Sequence, residues 1–190
     1  SIYVDANRVD EFAALAAQMP GEIRFEPSEQ DSLTYIAAEK VYMKGEAAPA
    51  KESFTRYLQS YPGGAFSLNA HYYLCVIGKE QKDDEAVLEH AGKLLEYPDN
   101  PYSEEALLMH GEILFNRQQY DLALADYKKL QAKATTAERR QLGAIGVLRC
   151  HQRRHSLACR SQAVSGAPER GIVLPCQGIP QPESRQEGNG

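Results

Sequence analysis

The sequence predicts an all-α fold, an α-solenoid of stacked antiparallel helical hairpins. Three observations predict it. The chain superposes on itself, its apolar residues recur at three- and four-residue steps, and helix-breaking residues fall where each unit must turn. A lone hairpin cannot bury its apolar face, so units of this kind stack.

The self-similar segments are residues 32–62, 69–98 and 104–134, each reading as helix, turn, helix. In the first half of each unit a small residue recurs at Ala38, Cys75 and Gly111, and again at Gly146 in a fourth unit. In the second half the recurring residues are Ala50, Ala86 and Ala123, spaced 36 and then 37 apart. Small side chains at both places let paired helices approach closely. Leu107, Leu114, Leu124, Tyr127 and Leu130 follow the helical period, not the alternation of a strand.

Turn chemistry agrees. Gly45 follows the first helix of unit one, Gln81 to Asp83 interrupt unit two, and Pro62 and Pro98 close the second helices of units one and two. Asp31 or Ser32 is the expected N-cap of the helix holding Tyr35 to Met43. Ser103, with Glu104 and Glu105 in the first turn, is expected to do the same for unit three.

These columns resemble the tetratricopeptide repeat family over roughly residues 32–150. Thr34, His71 and Leu107 stand where the family has a first-helix Trp, and Thr135 stands at the proline place of unit three. The resemblance implies a right-handed superhelix. The stretches from Ser53 to Leu74 and from Leu94 to Phe115, each with an aromatic-Pro ending before the next helix, are similar to an envelope subgroup of the family. Its members are outer-membrane assembly lipoproteins and Tol-Pal-associated proteins, so the likeness implies a bacterial envelope, at the periplasm or outer-membrane periphery; the cysteine pattern is compatible with the cytoplasm as well.

The expected organisation has four parts. Residues 1–19 are the second helix of a truncated hairpin, with Val9, Phe12, Leu15 and Met19 on one face. Residues 20–30, holding Pro20 and Pro27, are a linker. Residues 31–150 are three full hairpins and the first helix of a fourth. Residues 151–190 are a low-order tail with five Arg, five Gln, five Gly and four Pro, and without Tyr, Phe, Asp or Lys. Natural disorder, a reading in a shifted frame and a cloning artefact all fit that tail; Ala158 falls where a fourth alanine would recur.

Charge narrows the function. Residues 1–150 carry 16 Lys and Arg against 23 Asp and Glu, an acidic surface that repels phosphate backbones and disfavours nucleic acid. No apolar run reaches the roughly 18 residues of a membrane-spanning helix. Cys75, Cys150, Cys159 and Cys176 form no Cys-x-x-Cys pair and suggest no disulfide framework.

Catalytic and metal signals are weak. His151, His155 and Cys159 have helical ligand spacing, but Arg153, Arg154 and Arg160 beside them repel a cation. Cys75 lies four residues from His71, yet it occupies the small-residue column of a packed hairpin, where an inert thiol is expected. Glu104 with Glu105 and Asp83 with Asp84 sit at a helix start and a turn, as capping requires. The expectation is therefore a protein without a catalytic site, cofactor or metal.

The groove is the site the resemblance implies. The family's inward positions carry over to Tyr35, Glu39, Tyr42 and Met43 in unit one, Tyr72, Val76 and Lys79 in unit two, and Leu108, Glu112, Phe115 and Asn116 in unit three. Aromatic residues there suit a peptide or protein partner, and Glu39 with Glu112 favours a basic one. Family members that clamp a chaperone's C-terminal carboxylate need cations at places held here by Tyr35, Glu39, Tyr73, Glu105 and Met109, so that partner is excluded. A non-catalytic scaffold is the expected function. The alternative is a docking or regulatory segment of a larger enzyme.

Overall fold

The computed structural model describes residues 27–97 and 99–165, together with Arg8, Glu11, Ala14 and Leu15. Among the described residues seven long helices follow one another and no strand occurs: α1 (Pro27–Met43), α2 (Ala47–Ser60), α3 (Ser67–Gln81), α4 (Asp84–Leu95), α5 (Ser103–Asn116), α6 (Tyr120–Lys133) and α7 (Ala137–Ser165). Each helix packs on its neighbours in sequence, and α5 also meets α7. The expected half-hairpin of residues 1–19 lies largely outside the described residues.

Three hairpins, α1/α2, α3/α4 and α5/α6, turn in the same way. Gly45, Lys82 and Gln118 adopt positive φ of 82°, 58° and 63° just after the first helices. The next N–H reaches back five residues in each case: Glu46 to Val41 O, Asp83 to Gly78 O and Gln119 to Leu114 O, at 3.4, 2.8 and 2.9 Å. This is the Schellman closure of a helix C-terminus. The three turns are related by the repeat itself, so the hairpins are equivalent in backbone as well as in sequence.

The buried register of the second helices is Ala50, Phe54 and Tyr57 in α2, Val87, Ala91 and Leu94 in α4, and Ala123, Tyr127 and Leu130 in α6. The alanine column read as Ala50, Ala86 and Ala123 is thus Ala50, Val87 and Ala123 in space. Ala86 is only half-buried. The reason lies on the facing helix, where Gly78 stands in the place of Val41 and Leu114. A Cβ at Gly78 would lie 2.9 Å from Val87 Cγ2. Volume has moved from the first helix to the second, and close packing is kept.

The first-helix column holds. Ala38 and Cys75 are fully buried, and Gly146 lets α7 lie against Tyr127, whose ring would be 2.3 Å from an added Cβ. Burial pushes the Cys75 thiol up to about 12, so it is a packing atom and not a thiolate.

Two helix starts differ from expectation. α1 begins at Pro27, a residue preorganised for a first helical position, so the end of the expected linker is helical and Asp31 and Ser32 lie inside the helix. Ser103 opens α5, but Asn100 caps the approach: its Oδ1 accepts from Tyr102 N–H at 2.8 Å and its Nδ2 donates to Leu94 O at 2.8 Å. Glu104 instead accepts the Thr135 N–H of the next loop at 2.8 Å.

α7 continues past residue 150, where the array was expected to end, to Ser165. No Gly or Pro lies between Gly146 and that residue, so nothing local stops the helix. Cys150 is its last buried residue among those whose side chains are described, and residues 151–158 are exposed.

Candidate functional site

The candidate surface is the face where α1, α3, α5 and α7 meet side by side. Their side chains join across hairpins. Tyr73 of α3 donates its hydroxyl to Glu39 Oε1 of α1 at 2.9 Å, and Tyr35 donates to the same oxygen at 2.9 Å. Tyr72 of α3 stacks on Tyr102, just before α5, with centroids 4.4 Å apart, and its hydroxyl reaches Glu105 at 3.3 Å. Lys79 of α3 pairs with Glu112 of α5 at 3.8 Å. Arg149 of α7 places its guanidinium 4.3 Å from the Phe115 ring centre.

The sequence-derived residues divide into three groups. Tyr35 is a correction: only 4% of it is exposed, because Phe66 from the inter-hairpin segment stacks on its ring at 4.6 Å, so it lines the core and only its hydroxyl serves the surface. Tyr42, Tyr72, Val76, Leu108 and Phe115 are half-buried, as is the Glu39 side chain beside them. Tyr42 leans on Tyr73 at 4.9 Å; Leu108 and Phe115 pack against the core of the third hairpin. Lys79, Glu112, Asn116 and Met43 are exposed, Met43 by 71%. It and Asn116 close α1 and α5, at the rim of the face.

Electrostatics follow burial. Burial first, and the Glu39 hydrogen bond second, push the Tyr73 hydroxyl up to about 12. Tyr35 is raised for the same two reasons in the same order. Burial, then the nearby Glu39 charge, raises Tyr102 as well. Tyr35 and Tyr73 are neutral donors at any ordinary pH, and both donate to the Glu39 carboxylate.

Tyr73 and Tyr102 were missed as surface residues by carrying over family positions. The signal available was the doubled aromatic at Tyr72 and Tyr73, since consecutive helical residues point about 100° apart and one can face inward while its neighbour faces the next helix. Among the described residues no group of three or more His, Cys, Asp or Glu could hold a metal ion, and no helix is long and apolar enough to cross a membrane. No family model matches the chain, and neither does any curated protein.

Proposed function

We propose that the protein is a non-catalytic scaffold of the tetratricopeptide kind, a right-handed array that holds a peptide or protein partner along the face of its first helices. One observation carries the reading: a series of half-buried aromatics, Tyr42, Tyr73, Tyr72 and Tyr102, that crosses three hairpins beside Glu39. Rigid aromatics half out of water supply contact area at small entropic cost, which is what a binding groove needs. Acidic residues on the same face favour a basic partner. The envelope-subgroup likeness extends the proposal to an assembly at a bacterial envelope.

Photo-crosslinking tests it. A benzoyl-phenylalanine placed at Met43 or Asn116, on the rim of the face, should capture the partner, whereas one at Thr55 or Lys128, exposed on second helices, should not. Adducts from the second-helix positions alone would move the docking surface to the other side.

A further inference from the structure

We propose that Glu39 and the tyrosines around it form a receptor for a single arginine side chain of the partner. This deepens the groove reading and rests on it. Both hydroxyl donors, from Tyr35 and Tyr73, bind the same carboxylate oxygen, Oε1. No hydrogen bond or ion pair reaches Oε2 from any described residue. Every buried side-chain nitrogen and oxygen among the described residues has a partner, so the unpartnered Oε2 reaches solvent.

The carboxylate is thereby fixed in place and left half-satisfied. Its neighbours on the face are different. Lys79 occupies Glu112, and Arg139 reaches Glu105 at 3.6 Å, whereas no described cation pairs with Glu39. A charge held half out of water by two neutral donors is under-solvated, and a donor cation from outside relieves it.

Aromatic walls select which cation. The Tyr42 and Tyr73 rings tilt 58° to each other at 4.9 Å, the Tyr72 and Tyr73 rings tilt by the same angle at 6.1 Å, and Tyr102 stacks behind Tyr72. A guanidinium lies flat on such rings and donates sideways to Oε2 at the same time; a compact, strongly hydrated ammonium does the first poorly. Burial raises the Tyr42 hydroxyl and the nearby Glu80 charge adds to it, so Glu80 supplies a second acid beside that ring.

The test is a titration of the whole chain, with its tyrosine rings carbon-labelled and observed by NMR. The probe is an acetylated, amidated glycine pentapeptide with one central arginine, and the control is its neutral citrulline twin. The arginine peptide should shift Tyr73 and Tyr102 saturably, the citrulline peptide should not, and added salt should reverse the shifts. Glu39→Gln, which can still accept both hydroxyls, should weaken binding at least about tenfold, the loss expected for one charge-assisted contact; Glu52→Gln, exposed on the second helix α2, should leave it unchanged. Equal shifts from both peptides, salt-insensitive shifts, or full binding by a folded Glu39→Gln chain would each overturn the inference. If that variant fails to fold, the salt titration of the unaltered chain decides alone. A partner that crosslinks on this face while the arginine peptide misses Tyr73 sinks the receptor and leaves the groove. The peptide seated at Tyr73 with the partner docked on second helices would leave an arginine site on the chain but overturn both the groove and its use by the partner.

Discussion

Tyr57 donates its hydroxyl to Asp31 at 2.5 Å, joining α2 to α1, and the same oxygen accepts the Phe66 N–H at 3.1 Å. Asp31 Oδ2 takes the Ala65 N–H at 2.8 Å. Two buried side chains thus fasten the segment that leads from the first hairpin into the second. Gly64 runs close beneath them; a Cβ there would come within 2.6 Å of the Tyr57 oxygen.

Removing that one oxygen should therefore loosen the joint between hairpins. Tyr57→Phe strands the Phe66 amide and half of a carboxylate that is 8% exposed, which should cost about 1–3 kcal/mol. Gly64→Ala should destabilise by pushing the same groups apart. Urea midpoints measure both, and an unshifted midpoint for Tyr57→Phe would mean the clip is not formed in solution.

The exchange of volume between Gly78 and Val87 predicts coupling. Gly78→Val alone should overpack by about 1–3 kcal/mol, and Val87→Ala alone should open a cavity. Together they restore the Val41 and Ala50 arrangement of the first hairpin, so the double variant should recover part of the loss, with an interaction energy of about 0.5–3 kcal/mol in a double-mutant cycle. Simple additivity would show that the two side chains do not meet.

Lys82 and Gln118 hold the left-handed conformation that Gly45 adopts without strain. Replacing either with glycine removes a cost of about 1–2 kcal/mol per L-residue, less the extra chain entropy of glycine. Each variant should melt slightly higher than the parent. Gly45→Ala, at φ of 82°, should melt lower.

His71 and His90 face each other with Nδ1 atoms 3.2 Å apart, and burial drives His71 down to about 4 from its ordinary 6.5, with His90 and Lys93 adding to the effect. Burial lowers His90 too, with Lys51 also lowering it and Glu89 and Asp83 opposing. Because the folded chain binds protons later than the unfolded one, stability is complete above about pH 6.5 and falls as pH drops toward about 4. His71→Gln with His90→Gln should flatten the melting-temperature curve across that window. A curve as steep as the parent's would assign the acid sensitivity to carboxylates instead.

How much could be read beforehand depends on the range of the interaction. Helical period and turn chemistry are local, so the hairpins and the buried places of Ala38, Cys75 and Ala123 were legible. Val87 was not, because its burial depends on Gly78 across the hairpin, and alanine at the adjacent position made the wrong register attractive. Lys82 and Gln118 carry no glycine to announce a left-handed turn. The groove positions came from family likeness, which fixes a place along the helix but not its neighbours; Phe66, 31 residues after Tyr35, decides that Tyr35 belongs to the core.

The most direct test of the account is the affinity of the crosslinked partner for the parent chain and for the Tyr42→Ala, Tyr72→Ala, Phe115→Ala triple variant, measured by calorimetry with the variant's helical signal and melting followed alongside. Aromatic anchors at the centre of an interface carry most of its energy, so the dissociation constant should rise at least about tenfold, more than about 1.4 kcal/mol. An unchanged constant in a variant that keeps its fold would contradict the account and put the partner on the second helices.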